Sequence, residues 1–451
     1  MTMRDYKDSV LGPIEKELKQ RKVKTWEIFF VNTKSLSIEA KNQEIDGLKA
    51  SSDTGVSLRV LIDGHLGFSY TTDFAPQSLE TLIESAIGSA KTSDPDPAYC
   101  FASKPDLDYP DCEIFDPEFS QRDQDEKIKR ALMLEKAALD KDPAIRQVRR
   151  ATYSESESEI VILNSEGLFG SYRSTAASAV IMAMAVRDDM AEMGWDFDFC
   201  RFYNKINVTE VGKRAAQKAL RKLGGKPVQT QRAPIILNEE TMAELLEVLA
   251  PSFHGDNAVK GKSLLAGRLD DKVFSDQINI FDDGLYPHGL GTAPFDAEGT
   301  PSQTTCLVEK GTLKNYLYDL YWAKRSGRKT TGNASRGSYK SPPGIGNNNY
   351  YMVGENTKSK DELIKSVSKG LFVHELIGVH TANPISGEFS LGATGLWIEN
   401  GDIKYPVKGI TISGNLIEIL NQIGDIGNEV KFFGTTGAPA VLIEDIQISG
   451  T

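Results

Sequence analysis

The sequence predicts an α+β protein in two parts: an antiparallel sheet with helices in the first half and a mostly β second half. Three observations carry this. Amphipathic helical stretches alternate with β-type runs up to about residue 223, and Gly224-Gly225-Lys226-Pro227 then breaks the pattern. Beyond a helix near residues 239 to 249, short β-branched segments and hairpin dipeptides crowd the chain to its end. At 451 residues the chain is too long for one average core, so a boundary at the breaker gives domains 1–225 and 226–451.

Val56 to Leu61 and Leu66 to Tyr70 read as antiparallel strands, because Asp63-Gly64 between them accepts positive φ. Residues 78 to 90 form the clearest helix. Leu79, Leu82, Ile83, Ala86, Ile87 and Ala90 share one face, and Ser78 stands where a cap belongs. A second helix is expected from Asp123 to Leu139, with strands from Ile160 to Leu163 and Ala179 to Val186. Arg214 to Leu223 is amphipathic, and Glu239 to Leu249 is helical. Lys310-Gly311 and Asn400-Gly401 signal hairpins, and residues 341 to 349 a long polar loop. Ser359 to Ser368 reads as a helix ending at Gly370, after which Leu371-Phe372-Val373 begins a β-type run.

The net charge of −11 opposes nucleic-acid binding, which draws its affinity from Lys and Arg neutralising phosphates. Cys100, Cys112, Cys200 and Cys306 show no C-x-x-C spacing and make no disulfide scaffold, which points to a reducing compartment. The polar start, Met1 to Asp8, lacks the apolar core of a signal peptide. The longest apolar run, Ala176 to Val186, is too short to span a bilayer. A cytoplasmic protein with no membrane partner is the expectation.

His374-Glu375-Leu376-Ile377-Gly378-Val379-His380 has the residue types of a metalloprotease motif at the wrong spacing. On a helix, six residues leave the two imidazoles about 120° apart, where ligands four residues apart would share a face. On a strand they share a face but lie about 20 Å apart, too far for one ion. Structural or binding histidines are the better reading, with His374, Glu375 and His380 kept as weak catalytic candidates. Asp296 and Glu298 could act as general acid and base, yet Phe295 to Gly299 more simply reads as a turn whose carboxylates cap backbone N–H groups. His65, His254 and His288 show no ligand spacing. No third glycine follows Gly289-Leu290-Gly291 or Gly344-Ile345-Gly346, and neither a Walker lysine nor a G-x-S-x-G elbow occurs.

The run Leu246-Glu247-Val248-Leu249-Ala250-Pro251-Ser252-Phe253-His254-Gly255-Asp256, with Lys260-Gly261 and Ser263, resembles the active-site segment of the TldD/PmbA peptidase family. The likeness runs from about Val23 to the C-terminus. It includes Gly55 to Val60, Gly67 to Asp73, Phe295 to Gly299 and Thr331 to Ala334. Asn383 to Ser390 and Trp397 to Gly401 are similar to the PmbA branch, also called TldE. Zinc-bearing members carry His-Glu-x-x-x-His, and the two histidine positions here are Leu246 and Pro251. Glu247 stands where the family has its catalytic glutamate. The family's third ligand, a cysteine, would fall around Phe433-Gly434-Thr435, where this sequence has none.

The resemblance therefore implies a subunit without zinc, its metal carried by a TldD-like partner, in a complex that cleaves unfolded or linear peptides. Some relatives are described as DNA gyrase modulators, and the acidic charge opposes direct DNA contact by this chain. Strands and turns around Gly387 to Gly395 would suit a wall that pairs with an extended peptide. Two alternatives stand beside this reading: a peptide-binding homodimer without catalysis, and a self-sufficient metallopeptidase built on His374, Glu375 or His380.

Overall fold

The structure, a computed structural model, describes residues 6–450. In the N-terminal half, six strands form one sheet: β1 (Thr25–Lys41), β2 (Glu44–Ile62), β3 (His65–Thr71), β4 (Ile145–Asn164), β5 (Phe169–Arg187) and β6 (Met190–Cys200). Their order is β3-β2-β1-β4-β5-β6, and every pairing is antiparallel. Asp63 and Gly64 turn the β2–β3 hairpin with φ of 51° and 83°, the positive values its dipeptide predicts. The strands run well beyond the sequence-predicted segments, because much of their length is polar and escapes a search for apolar alternation.

One sheet face carries two separate cores. Helices Gly12–Gln20 and Pro76–Thr92 cover Ile28, Phe30, Val56, Leu58 and Val60. Helices Gln124–Leu139 and Val208–Lys222 cover Ile38, Ala40, Tyr153 and the alanines of β5. The helices sit flush on the strands because two strand residues lack side chains. A Cβ on Gly67 would come within 2.0 Å of the Ala86 carbonyl oxygen, and one on Gly194 within 2.3 Å of that of Ala215.

The expected Ser78 cap is not made. The helix starts at Pro76, two residues earlier, and the Ser78 hydroxyl instead donates to Asp73 Oδ2 at 2.6 Å. Proline at the first turn already suits that position, since its missing N–H would have had no helical partner. Asp123 does cap its helix, accepting the Glu126 N–H at 2.8 Å.

In the C-terminal half, five strands close into a ring: Gln231–Leu237, Lys369–Ile377, Glu388–Glu399, Asp402–Asn415 and Val441–Ser449. Gln231–Leu237 seals it, pairing parallel with Lys369–Ile377 and antiparallel with Val441–Ser449. Within the segment around Gly387 to Gly395, Gly392 to Gly395 are paired on both sides, which corrects that part of the expected peptide-pairing wall, whereas Glu388 to Leu391 pair with Asp402–Asn415 on one side. A second sheet runs Thr312–Leu313, Thr304–Glu309, Ile278–Asp283, Asn349–Gly354, Thr436–Ala438, Lys431–Phe433. Helix Glu239–Leu249 leaves the first ring strand and packs against the hairpin of residues 431 to 438. Lys310-Gly311 and Asn400-Gly401 turn their hairpins with positive φ throughout. Of residues 341 to 349, only the first part is an open loop. Asn347 and Asn348 bond to the buried Asp282, and Asn349 is fully buried at the start of a strand.

The halves are joined by a buried ion quartet. Arg59 on β2 bonds Glu27 on β1 at 2.6 and 2.9 Å and Glu298 at 3.1 Å, and Arg336 also pairs with Glu27. No helix among the described residues is long and apolar enough to cross a membrane.

Candidate functional site

Helix Glu239–Leu249 organises the candidate site. Asn238 caps it, accepting the Thr241 N–H at 2.8 Å, and Glu239 and Glu240 occupy the first turn, where carboxylates suit the helix dipole. Glu240, Glu244 and Glu247 recur at i, i+4 and i+7, so one face of the helix is a row of carboxylates. Glu247 is exposed and accepts the Thr436 hydroxyl at 3.3 Å, which brings it beside the segment from Phe433 to Thr435. Leu246 turns the other way and is fully buried in the large apolar core of the C-terminal half. Pro251 opens a short 3-10 turn, Ala250–Phe253.

At the start of this helix lies a cleft of about 500 Å³. One wall is the end of β6, from Asp196 to Phe199, and another is the hairpin segment from Lys431 to Gly434. Its floor is the loop from Tyr286 to Leu290. Arg201 pins that floor, donating to the carbonyls of Gly289 at 3.2 Å, Thr292 at 3.2 Å and Leu290. The cleft's charged groups largely pair among themselves. Arg214 meets Asp196 at 2.6 Å, Lys218 meets Glu240 at 2.6 Å, and Lys431 lies 3.7 Å from Glu239. Burial pushes the Asp198 carboxyl up from its usual range, and no ion pair forms at it among the described residues. Aromatic rings supply the rest: Phe197 stacks on Trp195 with centroids 4.9 Å apart, and Phe433 meets Phe197 edge-on at 6.1 Å.

His374 and His380 do not come together. A β-bulge at His374 breaks the register between Val373 and Glu375, and the strand ends at Ile377. Gly378 then takes φ of 82°, so His380 sits exposed on a 3-10 turn. The single extended strand considered for the two histidines does not exist. His374 is buried, neither ring nitrogen has a hydrogen-bond partner among the described residues, and burial pulls its pKa down to about 4. Glu375 pairs with Lys222 and accepts the Thr394 hydroxyl at 2.9 Å. His374 and Glu375 share a cavity with room for about one water with Glu240, Glu244, Lys218 and Lys222. Glu244 Oε2 has no hydrogen-bond partner among the described residues, and burial, then Glu240, pushes its pKa up to about 8.

Asp296 and Glu298 serve as turn carboxylates. Asp296 accepts the N–H groups of Glu298, Thr300 and Ala334 at 2.9, 3.0 and 3.0 Å, and Glu298 accepts from Arg59 and from the Leu320 N–H. His65, His254 and His288 lie apart. His65 bonds the Ser93 carbonyl at 2.7 Å, His254 meets Asn347 at 2.9 Å, and His288 packs edge-on against Phe202. Among the described residues no three His, Cys, Asp or Glu side chains are grouped to hold a metal ion. Leu246 inside the apolar core and Pro251 without a donor do not fit a zinc site.

The cleft residues Asp196 to Phe199 went unnoticed in the sequence. Trp195-Asp196-Phe197-Asp198-Phe199 is a strict apolar–polar alternation, and that pattern could have flagged a strand with one aromatic face.

Models of the PmbA/TldA metallopeptidase match the chain in three consecutive pieces: domain 1 over residues 26–90, the central domain over 117–223 and the C-terminal domain over 230–450. A metalloprotease PmbA homolog from Buchnera aphidicola is 29% identical over 94% of this chain and 93% of its own length. The solved structure of TldE from Thermococcus kodakarensis superposes with a TM-score of 0.88 at 27% identity, covering 97% of this chain and 100% of that one. A Thermotoga maritima protein described as a candidate modulator of a DNA gyrase gives a TM-score of 0.90 at 30% identity, over 99% and 100% of the two chains. Three matched domains in one order, together with a fold shared over nearly the whole length, make this chain a member of the PmbA/TldD metallopeptidase family.

Proposed function

We propose that this chain is the PmbA/TldE-like, metal-free subunit of a TldD/TldE-type peptidase acting on unfolded or linear peptides in the cytoplasm. The observation that carries the reading is Leu246. It stands where zinc-bearing relatives place a ligand, yet it is fully buried in an apolar core. A histidine there would enter surroundings without polar partners, at a cost of about 1–3 kcal/mol. Glu247 without an adjacent ion has no activated water to deprotonate, so hydrolysis falls to a partner chain that supplies the metal. The cleft beside the helix supports a role in holding substrate, since it is walled by strand ends and aromatic rings.

The test is elemental analysis of the purified chain, with peptidase assays on the chain alone and mixed with a TldD-like subunit from the same source. The expected outcome is no stoichiometric zinc, no cleavage by the chain alone, and chelator-sensitive cleavage by the mixture. About one zinc per chain, lost on His374→Ala or His380→Ala, would overturn the reading in favour of a self-sufficient peptidase.

A further inference from the structure

The last residues of β6 show a feature the family reading does not use. Among the described residues β6 is the outermost strand of its sheet, paired with β5 on one side, so alternate N–H and C=O groups point away from the sheet. Phe197 and Phe199 are two of these outward residues. Their N–H groups donate to the side chains immediately before them, at 2.8 Å to Asp196 Oδ1 and 2.9 Å to Asp198 Oδ1. The Asp-Phe-Asp-Phe repeat thus caps its own edge. Of the outward carbonyls, Met193 accepts from Lys222 at 2.7 Å, while Phe197 has only a 3.5 Å contact from Arg214. The strand edge that faces the cleft is therefore closed to other sheets by local side-chain bonds.

We infer that this self-capped edge docks one extended peptide segment as an added strand, with uncharged, preferably aromatic, side chains on the face of Trp195, Phe197 and Phe199. The inference rests on the reading that the protein handles linear peptides, and it names which groups hold them. Three observations fix the class of occupant. Backbone donors and acceptors at a two-residue repeat are matched by another peptide backbone and by no nucleotide or sugar. The cations nearest this edge are spent on the cleft's own carboxylates, Arg214 on Asp196 and Lys218 on Glu240, which disfavours an anionic ligand there. The rings of Trp195, Phe197 and Phe199 follow one another at 4.9 and 5.4 Å, with Phe433 across the cleft, a ladder spaced for alternate side chains of an added strand. On docking, the peptide's carbonyls replace Asp196 and Asp198 at the Phe197 and Phe199 N–H groups, while Asp196 keeps its ion pair with Arg214 and the Asp198 carboxylate turns aside.

The experiment is fluorescence anisotropy with a labelled, unstructured peptide of alternating Phe and Ser, on the full chain and on its mixture with a TldD-like subunit. The same peptide methylated at alternate backbone nitrogens should bind at least about tenfold more weakly, since it has lost its strand donors. Replacing Phe by Glu should weaken binding similarly. Asp198→Ala should tighten binding by about threefold or more, because it frees the Phe199 N–H and removes its competitor. Phe433→Ala should weaken binding without unfolding the chain, as checked by circular dichroism. Equal binding of the methylated and parent peptides, or an unchanged affinity in Asp198→Ala, overturns the edge assignment while leaving peptide handling intact. Failure of every peptide to bind both the chain and the mixture overturns the two readings together.

Discussion

Two buried charged clusters hold this molecule together, and they differ in whether they are closed. Between the halves, Arg59 and Arg336 face Glu27 and Glu298, two cations against two carboxylates, with Arg59 also lying over Phe101 and Arg336 over Phe29. Beside the candidate site, Lys218 pairs with Glu240 and Lys222 with Glu375, which leaves Glu244 without an ion pair and both His374 ring nitrogens without a hydrogen-bond partner among the described residues. A closed cluster locks geometry, whereas an open one keeps groups whose protonation still responds to pH. The closed cluster lies at the seam of the fold. The open one borders the cleft, sharing Lys218 and Glu240 with it.

The contrast breaks most visibly at Arg59. Arg59→Ala leaves Glu27 and Glu298 buried with less than their full countercharge, and an expected loss of about 3–5 kcal/mol would register as a large fall in denaturant midpoint. A triple replacement that removes Arg59, Glu27 and Glu298 together in favour of apolar residues should recover much of that loss. If the single substitution is tolerated within about 0.5 kcal/mol, the quartet does not join the halves.

A smaller effect is expected at Glu244. Its pKa in the fold, about 8, lies above the ordinary 4.5, so burial favours the protonated form. Its contribution to stability is complete below about pH 4.5 and is lost as pH rises through 8. Glu244→Gln should therefore gain about 1 kcal/mol at pH 8 and nothing at pH 4, read from unfolding curves at the two values. A gain of equal size at both pH values would show that ionisation is not the cause.

The smallest change is expected for His374→Leu. Its imidazole has no hydrogen-bond partner among the described residues, so replacement should alter stability at pH 7.5 by less than about 1 kcal/mol. The sign of its pH effect is opposite to that of Glu244. With its pKa held at about 4 against the usual 6.5, the neutral ring contributes fully above 6.5, and that contribution is lost as pH falls to 4. His374→Leu should flatten stability across that acid window, and a large loss at neutral pH would reveal a partner for the ring.

What the sequence conveyed was local. Asp63-Gly64, Lys310-Gly311 and Asn400-Gly401 turn where expected because positive φ is a property of two residues and little else. Ser359 and Glu362 form a complete capping box for the same reason. The Asp296 turn was also readable, its carboxylate bonding backbone within a few residues. The ion quartet was not, since its members stand at positions 27, 59, 298 and 336 and meet only through tertiary structure. Which strand has a free edge was equally hidden. Gly387 to Gly395 reads as a good pairing strand, and only the distant partners Lys369–Ile377 and Asp402–Asn415 show that its second half, from Gly392, is already occupied on both sides. At the candidate site, the resemblance located Glu247 and Leu246, but the aromatic wall of β6 came from a different domain.

The ring of the C-terminal half has a consequence for the order in which the chain can be made. Gln231–Leu237 is synthesised early in that half, yet one of its two neighbours, Val441–Ser449, leaves the ribosome only after every other strand of the ring. Until then Ile235 and Leu237, fully buried in the finished protein, have an unsealed strand beside them. The N-terminal sheet can complete itself during translation, because all six of its strands precede residue 201. Nascent chains stalled before residue 441 should therefore be the species that chaperones hold, with a finished first half and an open second one.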